Sequence, residues 1–208
     1  MNEDGRRGHD ARKATPRGAL RRGILAFITT FLLLATITAL VVWLIYRPEK
    51  PNFTVVGVAI YTLNTTAPPF IETSMQFNLL ARNPNRRVSL FYYHLSATVH
   101  YRDQAITPPV QLPPLVQERH STVFLSPVVG GGMIPVSAEV MEGVAADVGY
   151  GAMGLSLVMV GRMRYKAGAI RTGFHGVSVV CDLLVGLKTG NDWQVLPLLG
   201  NPDCSVDI

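Results

Sequence analysis

Leu155-Ser-Leu-Val-Met-Val-Gly-Arg-Met-Arg-Tyr-Lys166 decides the fold class. Leu155, Leu157, Met159, Gly161, Met163 and Tyr165 fall on one side of an extended chain; Ser156, Val158, Val160, Arg162, Arg164 and Lys166 fall on the other. Side chains alternate across a strand with period two, so this pattern predicts a strand with one face on a core. The same alternation recurs outward from it. Val56, Val58 and Ile60 mark one face over 54–60, and Met75, Phe77, Leu79 and Ala81 another over 75–81. Over 93–102 the predicted inner face is Tyr93, Leu95, Ala97, Val99 and Tyr101, opposite His94, Ser96, Thr98, His100 and Arg102. Further strands fit 121–126 and 174–182. Turn signals stand between them: Asn83-Pro84-Asn85, the proline-rich 107–114, Gly130–Gly132 and Ala167-Gly168.

One segment departs from period two. Val136, Val140, Met141, Val144 and Val148 recur at three- and four-residue spacing, which predicts a short helix begun by Pro135 or Ser137 and ended by Gly149. Strands at this spacing with one helix predict a mainly β domain, an antiparallel β-sandwich with one short helix, over 53–208.

A different solvent is written into the N-terminal part. No charged residue occurs from Gly23 to Tyr46. A helix over Ile24–Tyr46 would span roughly 34 Å, enough to cross a hydrocarbon core about 30 Å thick. Trp43 and Tyr46 suit the interface at its outer end. A cleaved signal peptide would have a shorter apolar run and a small-residue cleavage site; Tyr46-Arg47-Pro48 offers none. The expected organisation is therefore a basic cytosolic tail (1–22), a single transmembrane helix (23–46), a proline-stiffened linker (47–52) and the sandwich. Ala35 and Ala39, four apart, would allow close approach of a second helix.

Charge sets the orientation and removes one class of partner. The net charge of the 208 residues is +5. Arg6, Arg7, Arg12, Lys13, Arg17, Arg21 and Arg22 stand in the tail against Glu3, Asp4 and Asp10, so most of the excess precedes the helix. The positive-inside rule then puts the N-terminus in the cytosol and the sandwich outside or in a lumen. The tail is predicted to meet anionic lipid headgroups. A nearly neutral domain gives no reason to expect nucleic acid. On the far side of the membrane, Asn52-Phe-Thr54 and Asn64-Thr-Thr66 are glycosylation sequons. Cys181 and Cys204 either bridge, closing a loop of about 24 residues worth roughly 3 kcal/mol, or stay as two buried thiols.

Catalytic motifs are missing. Gly149-Tyr-Gly151-Ala-Met-Gly154 has the spacing of a dinucleotide loop, but a helix precedes it and a strand follows, the reverse of what phosphate binding needs. His94 and His100 lie roughly 20 Å apart on one strand, too far for one metal. No catalytic, cofactor or metal residues are assigned, and no enzyme activity is expected. Arg162, Arg164 and Lys166 form a basic stripe suited to a solvated face or an acidic surface.

Asn83-Pro84-Asn85-Arg-Arg-Val-Ser-Leu-Phe-Tyr92-Tyr93, then Ala97-Thr-Val-His-Tyr101, resembles the plant NDR1/HIN1-like proteins, whose extracytosolic part is the LEA-2 domain. Arg164-Tyr165-Lys166-Ala-Gly168, then Thr172-Gly-Phe-His175 and Val180-Cys181-Asp182, resembles the late strand pair of that domain, and Cys204-Ser-Val-Asp-Ile208 its ending. Gln117-Glu-Arg-His-Ser-Thr122 matches the middle motif more loosely. The tyrosine pair is followed by His94 where the family has an acidic residue. The resemblance implies an LEA-14-like sandwich akin to fibronectin type III, residence in the plasma membrane, plasmodesma or endomembranes, cell-wall contact, and protein partners in plant defence and the hypersensitive response. For some members it implies protection of membranes or proteins during water loss instead. It brings no catalytic residues.

Overall fold

In the computed structural model, which describes residues 16–46, 48–187, 196–200 and 203–208, the chain divides into two compact units, Met1–Arg47 and Pro48–Ile208. Residues 1–15 of the predicted basic tail and Arg47 of the predicted linker lie outside the described residues.

The first unit is α1 (Pro16–Tyr46). It starts seven residues before the predicted membrane segment, because Pro16 suits a first helical position and nothing in Arg17–Arg22 stops a helix. The stretch apolar enough to cross a bilayer is Leu20–Leu44, with mean hydropathy 2.5. Its hydroxyls are satisfied internally. Thr29 and Thr30 donate to the Ala26 carbonyl at 2.9 and 2.8 Å, Thr36 to Leu33 and Thr38 to Leu34 at 2.8 Å. No polar group on these side chains asks lipid for a partner.

The second unit is mainly β. One antiparallel sheet is β1 (Asn52–Ala67), β2 (Phe70–Arg82), β7 (Thr122–Leu125) and β8 (Val128–Pro135), with β7 and β8 sharing one edge of β2. The other runs β12 (Ser205–Asp207), β11 (His175–Gly186), β9 (Ala152–Ala167), β3 (Ser89–Tyr101). The outer edge of β3 is covered in three pieces, β4 (Gln104–Ala105), β5 (Val110–Gln111) and β6 (Leu115–Gln117). The prolines at 108, 109, 113 and 114 lack the amide that a continuous edge strand would need. β10 (Ile170–Arg171) folds back on β9 as a hairpin. Phe53, Met75, Phe77 and Leu79 from the first sheet meet Leu90, Leu95, Leu157 and Val179 from the second in one buried core. Each such side chain contributes about 1.5–3 kcal/mol.

The alternation of β9 and β2 is as read from the sequence: Leu155, Leu157, Met159, Met163 and Tyr165 are buried, as are Met75, Phe77, Leu79 and Ala81. Two strands correct the reading. In β1 the register shifts between Val55 and Gly57, so Val55 and Val58 point inward and Val56 is exposed. In β3 it shifts between Tyr93 and Ser96. Tyr92, not Tyr93, therefore joins Leu95, Ala97, Val99 and Tyr101 in the core. A bulge carries one extra residue and reverses the facing of everything before it. His94 takes it up at φ 51°. Gly161 across the sheet makes room, since a Cβ there would lie 2.8 Å from the Leu95 Cα.

Gly130–Gly132, expected as a turn, are inside β8. Gly130 (φ 113°) sits so tightly that a Cβ would collide with the Thr73 carbonyl. The helix α2 (Ala138–Tyr150) is capped by Ser137, whose Oγ accepts from the Val140 amide at 3.3 Å, and closed by Gly151 in the left-handed region, two residues past the expected Gly149. Val140, Gly143 and Val144 face the core, and Val148 is exposed.

Candidate functional site

The turn between β2 and β3 is closed by two buried amides. The Asn83 Nδ2 donates to the carbonyls of Val88 (2.8 Å) and Glu118 (2.9 Å). Its Oδ1 accepts from the Asn85 backbone amide and from Asn85 Nδ2, both at 3.0 Å. Asn85 Nδ2 also donates to the Glu49 carbonyl, and Asn85 Oδ1 accepts from the Glu49 amide, each at 2.8 Å. Asn83 thus uses both donors and both acceptor sites, and Pro84 fixes the backbone between the pair. The result is a clasp: it joins the end of β2, the start of β3, the 118–121 loop and the segment arriving from α1. Lys50 adds an exposed bond to the Val206 carbonyl at 2.9 Å. Within the segment expected as a proline-stiffened linker, Glu49 and Lys50 are hydrogen-bonded to the domain.

The tyrosine pair splits across the sheet. Tyr92 packs edge-on against Phe53 at 6.1 Å, and its hydroxyl lies 3.1 Å from Gln117 Oε1. Burial, and then the neighbouring Tyr165, push its pKa well above the ordinary value. Tyr93 points outward, where its hydroxyl accepts from Arg164 Nη2 at 2.7 Å. The Arg164 guanidinium lies 5.0 Å from the Tyr93 ring, 5.4 Å from Phe174 and 5.7 Å from Phe91, and Lys166 sits 5.8 Å from Phe91. Cations over ring faces are attracted by the ring quadrupole. Tyr165 faces the core, and its raised pKa follows from burial. Gly168 turns the β9–β10 hairpin at φ 60°.

Cys181 and Cys204 are joined by a disulfide that fastens the C-terminal segment to β11. Asn52 opens β1 opposite Arg82, and Asn64 lies near its other end opposite Glu72; both are exposed. Thr54 of the first sequon bonds Asp203 at 3.2 Å. At the far end of β3, Tyr101 donates to the Asp147 carboxylate of α2 at 2.9 Å. Among the described residues no three His, Cys, Asp or Glu side chains assemble into a metal site.

No family model matches the chain. It is 32% identical over 180 residues to NDR1/HIN1-like protein 1 of Arabidopsis thaliana, covering 86% of this chain and 83% of that one. The chain belongs to the NDR1/HIN1-like family. NDR1/HIN1-like protein 26 of the same plant is 30% identical over 169 residues, covering 80% of this chain and 79% of that protein. NDR1/HIN1-like protein 12 is 29% identical over 164 residues, covering 79% and 78%. Among solved structures, that of an Arabidopsis thaliana protein in solution aligns at a TM-score of 0.38 with 12% identity, over 71% of this chain and 88% of that one.

With its apolar helix, this is a membrane-anchored NDR1/HIN1-like protein. Its domain is charge-neutral by composition yet polar by position. Among the described residues, the half holding the clasp carries Lys50, Arg82, Arg86, Arg87, Arg119, Arg162, Arg164, Lys166 and Arg171 against Glu49, Glu118, Asp203 and Asp207. The half holding α2 carries, among the described residues, Arg102 against Glu72, Asp103, Glu139, Glu142, Asp147 and Asp182. The motif residues Asn83, Pro84, Asn85, Tyr93, Arg164, Lys166 and Gly168 all lie in the basic half. Sequence reading placed Arg162, Arg164 and Lys166 on one stripe but gave no sign of the ring slot, because Phe174 arrives from beyond the hairpin and Tyr93 had been assigned inward.

Proposed function

We propose that this NDR1/HIN1-like protein is a non-enzymatic tether. Its N-terminus lies in the cytosol and its sandwich, an LEA-2 domain, lies outside the plasma membrane. There it binds protein or cell-wall partners in plant defence, including the hypersensitive response. Family membership and the single apolar helix support this reading, and the clasp carries it. Glu49, three residues along the chain from Tyr46, is bonded to Asn85, so few residues of chain are left between the helix and the bonded domain. A tethered domain with little slack meets surface partners at a high effective concentration.

Protease added to intact protoplasts should digest the C-terminal domain and spare a tag at residue 1; the opposite pattern overturns the orientation. Loss of the gene should change elicitor-triggered cell death. A phenotype confined to drying or salt would instead favour protection during water loss.

A further inference from the structure

The β9–β10 hairpin ends in Ala167-Gly-Ala-Ile170, four residues without a polar side chain, flanked by Lys166 and Arg171, which pair across the hairpin. Ile170 is 74% exposed and Phe174 57%. At the same end, Arg86 follows the clasp and Arg119 lies in the loop that it holds; both are exposed. Arg86, Arg119, Lys166 and Arg171 form no ion pair among the described residues. An apolar tip ringed by unpaired cations is the composition of elements that lie in a membrane interface.

Chain connectivity says which end of the sandwich this is. Arg47 alone separates Tyr46, the last residue of α1, from Pro48, where the domain begins. Two extended residues reach about 7 Å. Glu49, bonded to Asn85, is three residues along the chain from Tyr46, so the clasp closes on the first residues of the domain.

We propose that the clasp end is a headgroup-docking surface. Arg86, Arg119, Lys166 and Arg171 bind phosphates of anionic lipids in the leaflet beside the domain, while Ile170 enters the interface. The acidic half at the other end is repelled by the same lipids, so docking also orients the sandwich. This goes beyond the tether reading and holds for either orientation of the anchor.

The test uses the full-length chain in nanodiscs of phosphatidylcholine alone or of an equal mixture with phosphatidylserine. A nitroxide is placed at Ala169→Cys, the native cysteines being bridged. The label at 169 should be shielded from a water-soluble relaxant in the charged discs, and a label at Glu142→Cys should not. Each charge removed should lower the docked-to-undocked ratio about fivefold, so the triple variant Arg86→Glu, Arg119→Glu, Arg171→Glu should abolish shielding. An unchanged melting curve shows that this variant is folded. Ile170→Ser, which keeps every charge, should reduce the shielding by less. A label at 169 that is wet in both lipids overturns the proposal. Equal shielding in neutral and charged discs reduces the effect to tethering and overturns it too. So does capture of a soluble acidic polysaccharide by the same residues while the label stays in water.

Discussion

At the clasp end, two asparagine side chains join four segments of chain through bonds of 2.8–3.0 Å, and nine cations of the described residues lie in the same half. At the helix end, α2 is held by the Tyr101–Asp147 bond, the Ser137–Gln104 bonds and the buried Val140 and Val144, amid acidic residues. The first arrangement satisfies both asparagine side chains, with three of its six bonds buried; the Tyr101–Asp147 bond of the second is part-buried. Removing a member of a satisfied buried network leaves its partners without water or protein, whereas an exposed bond is replaced by water. The clasp end of the domain should therefore be the stiffer one, and the α2 end the one that opens first.

The sharpest way to break this contrast is Asn83→Ala. It deletes four hydrogen bonds and strands the Asn85 backbone amide and the Val88 carbonyl, while the Glu118 carbonyl keeps the Ser121 hydroxyl. The expected loss is about 4 kcal/mol, read from urea unfolding of the full chain in detergent. A loss under about 1 kcal/mol would mean that the clasp is ornamental. Next is the double change Cys181→Ser with Cys204→Ser. The bridge spans a sequence separation of 23, and releasing it should cost roughly 3 kcal/mol and free β12 for hydrogen exchange. The α2 amides should be unaffected if the two ends open separately.

The contrast explains what the sequence could and could not disclose. β9 was legible because sixteen residues run without a bulge, so period two survives from end to end. β1 and β3 were legible as strands but not in their facing. Nothing around Val55–Gly57 or Tyr93–Ser96 announces an extra residue, and the partner that permits the second bulge, Gly161, is over sixty positions away. Asn83 and Asn85 read as a turn, which they are. Their bonds to Glu49 and Glu118 depend on residues brought in by two other segments. The charge polarity was invisible for a related reason: composition sums over both ends, and only the strand directions assign Arg86, Arg119 and Arg171 to one of them.

Tyr92 and Tyr101 put the comparison on a single strand, since β3 carries one to each end. Tyr92 stays neutral in the fold, its pKa raised by burial, while the unfolded chain ionises near pH 10. Stability owed to this group is complete below pH 10 and falls above it, as the unfolded state loses a proton that the folded state keeps. The slope is about 1.4 kcal/mol per pH unit. Tyr92→Phe should cost about 1 kcal/mol at neutral pH through its lost bond to Gln117, yet flatten the decline between pH 10 and 11. Urea midpoints at pH 8, 10 and 11 would show this. An alkaline decline as steep as that of the unaltered chain would place the titrating group elsewhere.

The smallest effect belongs to the other end. Tyr101→Phe keeps the ring in the core and removes the hydroxyl that bonds Asp147 and lies beside Arg102, so about 1 kcal/mol should be lost. The loss should fall on α2 alone, with faster amide exchange in 138–150 and none gained at Asn85. Gly143→Ala probes the same contact from the helix side, because its Cβ would stand 2.8 Å from the Tyr101 hydroxyl and 2.9 Å from an Arg102 nitrogen. Those are the ends of side chains, so α2 can shift outward to relieve the clash while the sheets stay as they are. If Gly143→Ala instead loosened the Asn83–Asn85 clasp, the two ends would be one cooperative unit, and the domain could not open at α2 while holding fast at the clasp.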